Sequence, residues 1–312
     1  MLENIPAVDF VTSTVRMATP LLIASLGLVI SERAGLMNIG VEGTMLMGAF
    51  AGYAGAKLSG SYWIGILFAV LVSVLILSIF AISTITYRAK QVIVGAAINL
   101  LCTGLSSFLY RLIFYGTNRL DNGVAASSFP NLQVPVLSKL PVLGALLFNY
   151  NILVYFAFFM VAVIWAVNKK TSVGLMITAV GEHPKAADSL GINVTLVRYM
   201  AAIFSGAMFG IAGAYLSIAQ ASSFGENMTS GRGFIAMAVV ILGKWSPLGA
   251  LAGAMFFGGA NALQMVFQLT GIAVPTNIIM MVPYIATVIA VLAVSKKRVS
   301  APGALGVPYE KS

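Results

Sequence analysis

Three short segments gather ionisable and amide side chains between the long apolar runs of this chain. SERAGLMNIGVEG (31–43) carries Glu32, Arg33, Asn38 and Glu42, and GENMTSGRGF (225–234) carries Glu226, Asn227 and Arg232. VGEHPKAADSLGINV (180–194) carries Glu182, Lys185, Asp188 and the sole histidine, His183. Isolated amides, Asn99, Asn261 and Gln264, lie in stretches that are otherwise apolar. Metal sites need clustered His, Cys or carboxylates. One histidine and one cysteine, Cys102, provide neither such a cluster nor a disulfide framework. There is no G-x-x-x-x-G-K-[ST] loop to cradle a nucleotide. Proton- or ion-coupled transport uses charged groups deep in the membrane, and these are nearly absent. The expectation is a chain that is not an enzyme, holds no cofactor or metal, and takes energy from elsewhere.

An ionised group facing lipid costs at least a few kcal/mol, so the polar segments must pair, cap helices or reach water. Two roles are open for residues 31–43. In one, Glu32 and Arg33 pair locally, Asn38 caps the next helix and the glycines turn the chain. In the other, Asn38 and Glu42 line the inner end of a translocation path; the amides of Asn38, Asn99, Asn261 and Gln264 either bond across helices or face that path and offer reversible hydrogen bonds to a solute. Around 225–234, Glu226 and Asn227 cap the helix that starts near Arg232, or the three form an external gate or docking point.

The elements that must position these groups are membrane helices. Of 312 residues 59% are hydrophobic and only 9% charged, against about 25% charged in soluble domains. Mean hydropathy is +0.96. Uncharged runs such as 61–87 and 245–295 exceed the roughly 20 residues needed to cross a bilayer. The reading is an all-α, polytopic transmembrane bundle forming one domain over 1–312. It has about nine crossings, near 13–30, 41–57, 62–87, 91–114, 150–168, 197–220, 231–243, 247–270 and 276–295, two of them short and broken. The net charge of +9 is spread over span ends, which sets orientation rather than binding nucleic acid. With Lys296–Arg298 cytoplasmic, the outside receives only Arg16, Lys57, Arg111, Arg119, Lys139 and Arg232. That places the C-terminus inside and the N-terminus outside, with the first span as its own insertion signal. Residues 115–149 read as an external loop with a surface-lying piece at 142–148, and the tail after Arg298 as flexible.

Small residues recur every fourth position at Gly40, Thr44, Gly48, Gly52 and Ala56, and again at Ala202, Gly206, Gly210 and Ala214. Each series makes a smooth ridge that lets another helix approach closely. Residues 169–196 form a polar cytoplasmic loop between uncharged runs. Pro184 suits a first helical position and Gly191 an exit. Ala186, Ala187 and Leu190 share a face that needs a partner, unless the loop merely links two spans.

SERAGLMNIGVEGTMLMGA, VGEHPKAADSLGINV and GENMTSGRGFIAMAVVILGKWSPLGALAGA together resemble permease subunits of ATP-binding-cassette importers. The branch is the one serving ribose, branched-chain amino acids and nucleosides, and the likeness runs from about Ala18 to Arg298. The E-R-x-G-x-x-N-x-G-V-E-G form with GRGFIA looks most like nucleoside permeases that work with a lipoprotein of the basic membrane protein type. This resemblance implies an inner-membrane importer subunit surrounded by lipid. It implies a separate ATPase subunit holding ATP and Mg, a second, non-identical permease and an extracytoplasmic substrate-binding lipoprotein. It also implies a coupling helix that docks on the ATPase, carried onto Gly181, Glu182, Pro184, Ala187, Leu190 and Gly191. A sugar or branched-chain amino acid permease is the alternative within the family, and a secondary transporter the alternative outside it.

Overall fold

The computed structural model describes residues 7–115, 129, 131–133, 149–269, 281, 285, 288 and 301–310. Along these the chain forms helices α1 (Ala7–Arg33), α2 (Val41–Ser59), α3 (Tyr62–Ala81), α4 (Gln91–Tyr110) and α5 (Ile152–Lys170). They are followed by α6 (Ser172–Glu182), α7 (Pro184–Ser189), α8 (Val194–Ala214), α9 (Arg232–Leu242) and α10 (Pro247–Leu269). α3, α4 and α8 continue into wider π turns at Ile82–Thr86, Arg111–Tyr115 and Tyr215–Gln220. A small antiparallel pair joins β1 (Asn131–Gln133) to β2 (Asn149–Asn151). Helix starts are chemically marked. The side chains of Asn151, Thr171 and Asn193 accept from Val154, Gly174 and Leu196 N–H, each satisfying a donor that the first turn leaves free.

Six helices among the described residues are long and apolar enough to cross a membrane. The nine-crossing expectation meets three exceptions. Residues 41–57 become α2, which is buried along nearly its whole length. Protein surrounds it where lipid would surround an ordinary span, so it is built from Gly and Ala and falls short of the hydropathy of a lipid-facing helix. Residues 231–243 become α9, only 11 residues long. The crossing at 276–295 lies outside the described residues apart from 281 and 285 and 288, and the piece at 142–148 lies outside them altogether.

α2 sits at the centre against α3, α4 and α8, and α1 packs on α8, α9 and α10. The two small-residue ridges meet face to face. A Cβ on Gly48 would lie 2.8 Å from Gly210 Cα, and one on Gly213 only 2.1 Å from the Met45 carbonyl oxygen. Backbones this close leave no room for a side chain, which is why the ridges are glycine and alanine. The described part of the tail is not loose. Ala304 N–H donates to Gly181 O at 2.8 Å, Gly306 N–H to Gly35 O at 3.1 Å, and Arg88 pairs with Glu310 at 3.2 Å. Residues 301–310 therefore form a strap across the end of the bundle that carries α6 and α7, called here the loop end.

Gly213→Ala is expected to lower the thermal unfolding temperature of the detergent-solubilised protein by several degrees, because Met45 backbone blocks the added methyl. Gly104→Ala, with open space around it, is expected to leave that temperature unchanged or slightly raised, since alanine favours a helix by about 1 kcal/mol. Thermal melts of the two variants side by side check both.

Candidate translocation path and coupling face

The depth of Glu42 follows from its neighbours. Ser73 lies at the middle of the span Tyr62–Thr86, and its hydroxyl donates to Thr44 O at 3.4 Å. Glu42, in the first turn of α2, is therefore near mid-depth. α9 begins at the same level. Gly231 N–H donates to Glu42 Oε1 at 2.7 Å and Gly233 N–H to Oε2 at 2.6 Å. A Cβ on Gly233 would lie 2.7 Å from Glu42 Cα, so the glycine is what allows this approach. One carboxylate thus lies in the first turn of α2 and caps the start of α9. Both helix starts carry partial positive charge, and the bonds to an ionised acceptor are stronger than neutral ones. This is what makes a carboxylate tolerable where only 8% of its residue surface is exposed.

This arrangement corrects two expectations. Glu226 and Asn227 do not cap α9. Glu226 instead takes a two-pronged pair from Arg111 at the end of α4, with 2.8 and 3.1 Å contacts, and Asn227 adopts φ 55° in the approach to the helix. The Arg111 hydrogen bond holds the Glu226 carboxyl below its ordinary range, so the pair stays ionised at neutral pH. Arg232 folds back on the Met228 carbonyl at 2.8 Å. Nor do Glu32 and Arg33 pair with each other. Glu32 accepts from Trp245 Nε1 at 2.5 Å, and Arg33 donates to Thr178 of α6 at 3.0 Å.

The turn between α1 and α2 is fastened by amides. Asn38 Oδ1 accepts from Gly40 N–H at 3.0 Å, as a turn cap would. Asn99 of α4 accepts from Gly43 N–H at 2.8 Å and donates to Ile39 O at 2.9 Å. Gln91, two turns earlier, accepts from Met37 N–H at 2.6 Å. Gly95 between them would put a Cβ 2.9 Å from Gly40 N. Gln91 and Gly95 escaped the sequence reading, although the Gln-x-x-x-Gly-x-x-x-Asn spacing marks one helix face. Asn261 and Gln264 sit half-buried on α10. The structure thus joins Asn38, Glu42 and Asn99 in one junction and does not bring Asn261 or Gln264 to it. No group of three or more metal-ligating side chains occurs among the described residues.

The loop end holds the second region. Pro184 opens α7 and Leu190 closes it, and Gly191 takes φ +83° at the exit. Ala187 is not part of an open patch: it is 3% exposed and packs on Val180 and Val194. Leu190 is 82% exposed, with Ala186, Lys185 and Ser189 also at the surface. The spacing argument put Ala187 on the outer face, but the helix docks on α6 through that residue. Gly181 is a close-packing glycine, since its Cβ would fall 1.9 Å from Arg33 O. Glu182 accepts from Gly303 N–H at 3.1 Å and so holds the strap. The buried Arg198 donates to Ala34 O at 3.2 Å and Val307 O at 3.1 Å, tying α8 to both. Behind α6 an apolar cleft of about 550 Å³, lined among others by Met160, Val167, Met176 and Phe204, separates it from α5 and α8.

Residues 10–292 match the family described as the branched-chain amino acid transport system, permease component. The chain is 38% identical to the guanosine ABC transporter permease protein NupQ of Bacillus subtilis, over 96% of both chains. It is also 38% identical to the nucleoside ABC transporter permease protein NupC of Lactococcus lactis, over 95% of this chain and 94% of that one. A protein of Haloferax volcanii, provisionally assigned as glucose ABC transporter permease TsgC13, is 37% identical over 87% of this chain and 81% of its own. No solved structure matches.

Glu42→Ala strands two N–H groups at mid-depth, each costing about 1–3 kcal/mol when unsatisfied. Glu42→Gln keeps an acceptor and loses the charge. The alanine variant is expected to melt well below the glutamine variant, and both below the parent protein, with substrate uptake falling in the same order.

Proposed function

The chain belongs to the permease family of branched-chain amino acid transport systems, and we propose that it forms part of the membrane path of an ATP-driven importer of nucleosides. The near full-length likeness to guanosine and nucleoside permeases carries the substrate reading. On this reading a substrate-binding lipoprotein delivers nucleoside at the end bearing Arg111 and Glu226, and the loop end faces the cytoplasm. ATP and Mg are held by a separate ATPase. A second, non-identical permease completes the path, in keeping with the second, more distant guanosine or nucleoside permease protein of Bacillus subtilis and Lactococcus lactis. Asn38, Glu42 and Asn99 border the path at mid-depth, where α2 and α9 start side by side. Asn261 and Gln264 on α10 are assigned to the path by their amide chemistry alone.

The coupling role falls to α7. Its outer face presents Leu190 and Ala186 as a small apolar spot rimmed by Lys185 and Glu182, which suits burial in a groove of another protein. Its inner face is anchored through Ala187. Glucose is the second substrate reading, supported by the Haloferax relative. Uptake of radiolabelled guanosine and glucose into proteoliposomes containing the complete transporter separates the two. Guanosine uptake that depends on ATP is the expected result, and glucose uptake without guanosine uptake overturns it.

Leu190→Asp and Ala186→Arg change the open face of α7 alone. Both are expected to cut transport-stimulated ATP hydrolysis at least tenfold and to weaken co-purification of the ATPase, while the permease still inserts and melts normally. Ala187→Arg is expected instead to destabilise the loop, because it forces a charge into a packed site. Normal ATPase association in the first two variants would reduce α7 to a linker.

A further inference from the structure

Above the mid-depth junction, towards the end bearing Arg111 and Glu226, the space between α2, α4 and the segment leading into α9 is closed by aromatic rings. Phe224 is its centre. Its ring lies 5.0 Å from that of Tyr110 on α4, 5.5 Å from Phe50 and 6.4 Å from Tyr53 on α2, the last at an interplanar angle of 33°. Phe114 closes the back, 5.4 Å from Tyr53 and 5.5 Å from Tyr110. Phe224 is 5% exposed. Phe50 and Tyr53 lie about 12 and 16 Å along α2 from Glu42, at 1.5 Å per residue. Anything descending from that end to the junction along this face must displace Phe224.

The segment that carries Phe224 is a run of turns held by few contacts to α4. It has no regular helix between Ala221 and Gly231. Ser222, Asn227 and Ser230 hold φ of 53°, 55° and 46°, a left-handed backbone that non-glycine residues adopt at a cost. Its tie to α4 is the Arg111–Glu226 pair, whose side chains are 66% and 41% exposed. Exposed pairs contribute little to stability and are easily broken. Its other end is pinned at mid-depth by Glu42, which makes Gly231 the hinge.

We propose that Phe224 occupies the place the nucleobase takes during import, so that the plug doubles as a stand-in for the substrate. Opening the Arg111–Glu226 pair withdraws Phe224 and leaves the rings of Tyr110, Tyr53 and Phe50 facing the path. A purine entering between them restores the ring contacts that the withdrawal removes. The exchange of one aromatic ring for another makes opening least unfavourable when a base is present, which selects base-bearing solutes over free sugars at the mouth of the path. This rests on the nucleoside reading and deepens it by naming the surfaces that hold the base.

The test is equilibrium binding of guanosine, and of ribose as a base-free comparator, to the solubilised permease–ATPase complex without its binding protein. Phe224→Ala removes the competing ring and is expected to tighten guanosine binding about tenfold, whereas Tyr110→Leu removes a stacking face and is expected to weaken it about tenfold. Phe224→Tyr and Tyr110→Phe are expected to stay within about twofold of the parent, and ribose binding to stay unchanged throughout. A purely structural role would move melting temperatures without this opposite pair of shifts. No tightening in Phe224→Ala, shifts of the same sign in both, or equal shifts for ribose overturn the proposal. Should Tyr110→Leu fail to fold, Phe224→Ala decides alone. Guanosine uptake by the complete transporter with unshifted binding rejects only the aromatic site, while uptake of glucose and no nucleoside rejects the substrate reading beneath it.

Discussion

A single carboxylate makes this architecture possible. Two helices start side by side near the middle of the membrane, and each start exposes backbone N–H groups that lipid cannot satisfy. Glu42, in the first turn of α2, answers the start of α9 through its bonds to Gly231 and Gly233, while Asn99 of α4 accepts from Gly43 N–H at the start of α2. The charge costs several kcal/mol to bury on its own, and the unpaired start of α9 is costly on its own. Each removes the other's penalty. The result is a helix, α9, that starts at mid-depth, with the non-helical backbone before it lying against protein instead of lipid.

The rest of the bundle is arranged to keep that break dry and close-packed. Because α2 is enclosed by α3, α4 and α8, it gains nothing from large apolar side chains and much from backbone proximity. Glycine and alanine provide this at Gly48, Gly52, Gly210 and Gly213. Apolar attraction between helices is weak in a lipid environment, so close dispersion contact and a few cross-helix hydrogen bonds must carry specificity. Asn99 and Gln91 supply those bonds to the turn preceding α2, and Gly95 clears the space between them.

Much of this was legible in the chain itself. The membrane class, the helical ridges, the break at residues 31–43 and the short α7 follow from charge depletion, four-residue spacing and Pro/Gly placement. What the residues did not disclose is partner choice across long sequence separation. Nothing local says that Glu42 reaches Gly231, that Glu226 prefers Arg111, or that Glu32 prefers Trp245 to the adjacent Arg33. The same limit hid the strap. Its sequence, APGALGVPYE, has the composition of a flexible tail, and its order comes from backbone bonds to Gly181 and Gly35 and from the buried Arg198. Ala187 shows the subtler case: helical spacing grouped it with Ala186 and Leu190, but the helix docks through Ala187 and leaves only the other two open.

The strap gives the loop end a direct connection to mid-depth. Ala304 is bonded to Gly181 at the end of α6, two residues on, Gly306 is bonded to Gly35, and Arg198 holds Ala34 and Val307 together. From Gly35 the chain runs through the amide-fastened turn straight into Glu42. Hydrogen-bonded backbone therefore joins the end of α6 to the turn, and the turn leads to the carboxylate that caps α9. An apolar cleft lies behind α6, whereas α2 and α8 meet with their backbones in close contact. In this chain the link is short, and apart from the charged groups of Glu42 and Arg198 it is made of backbone and amides.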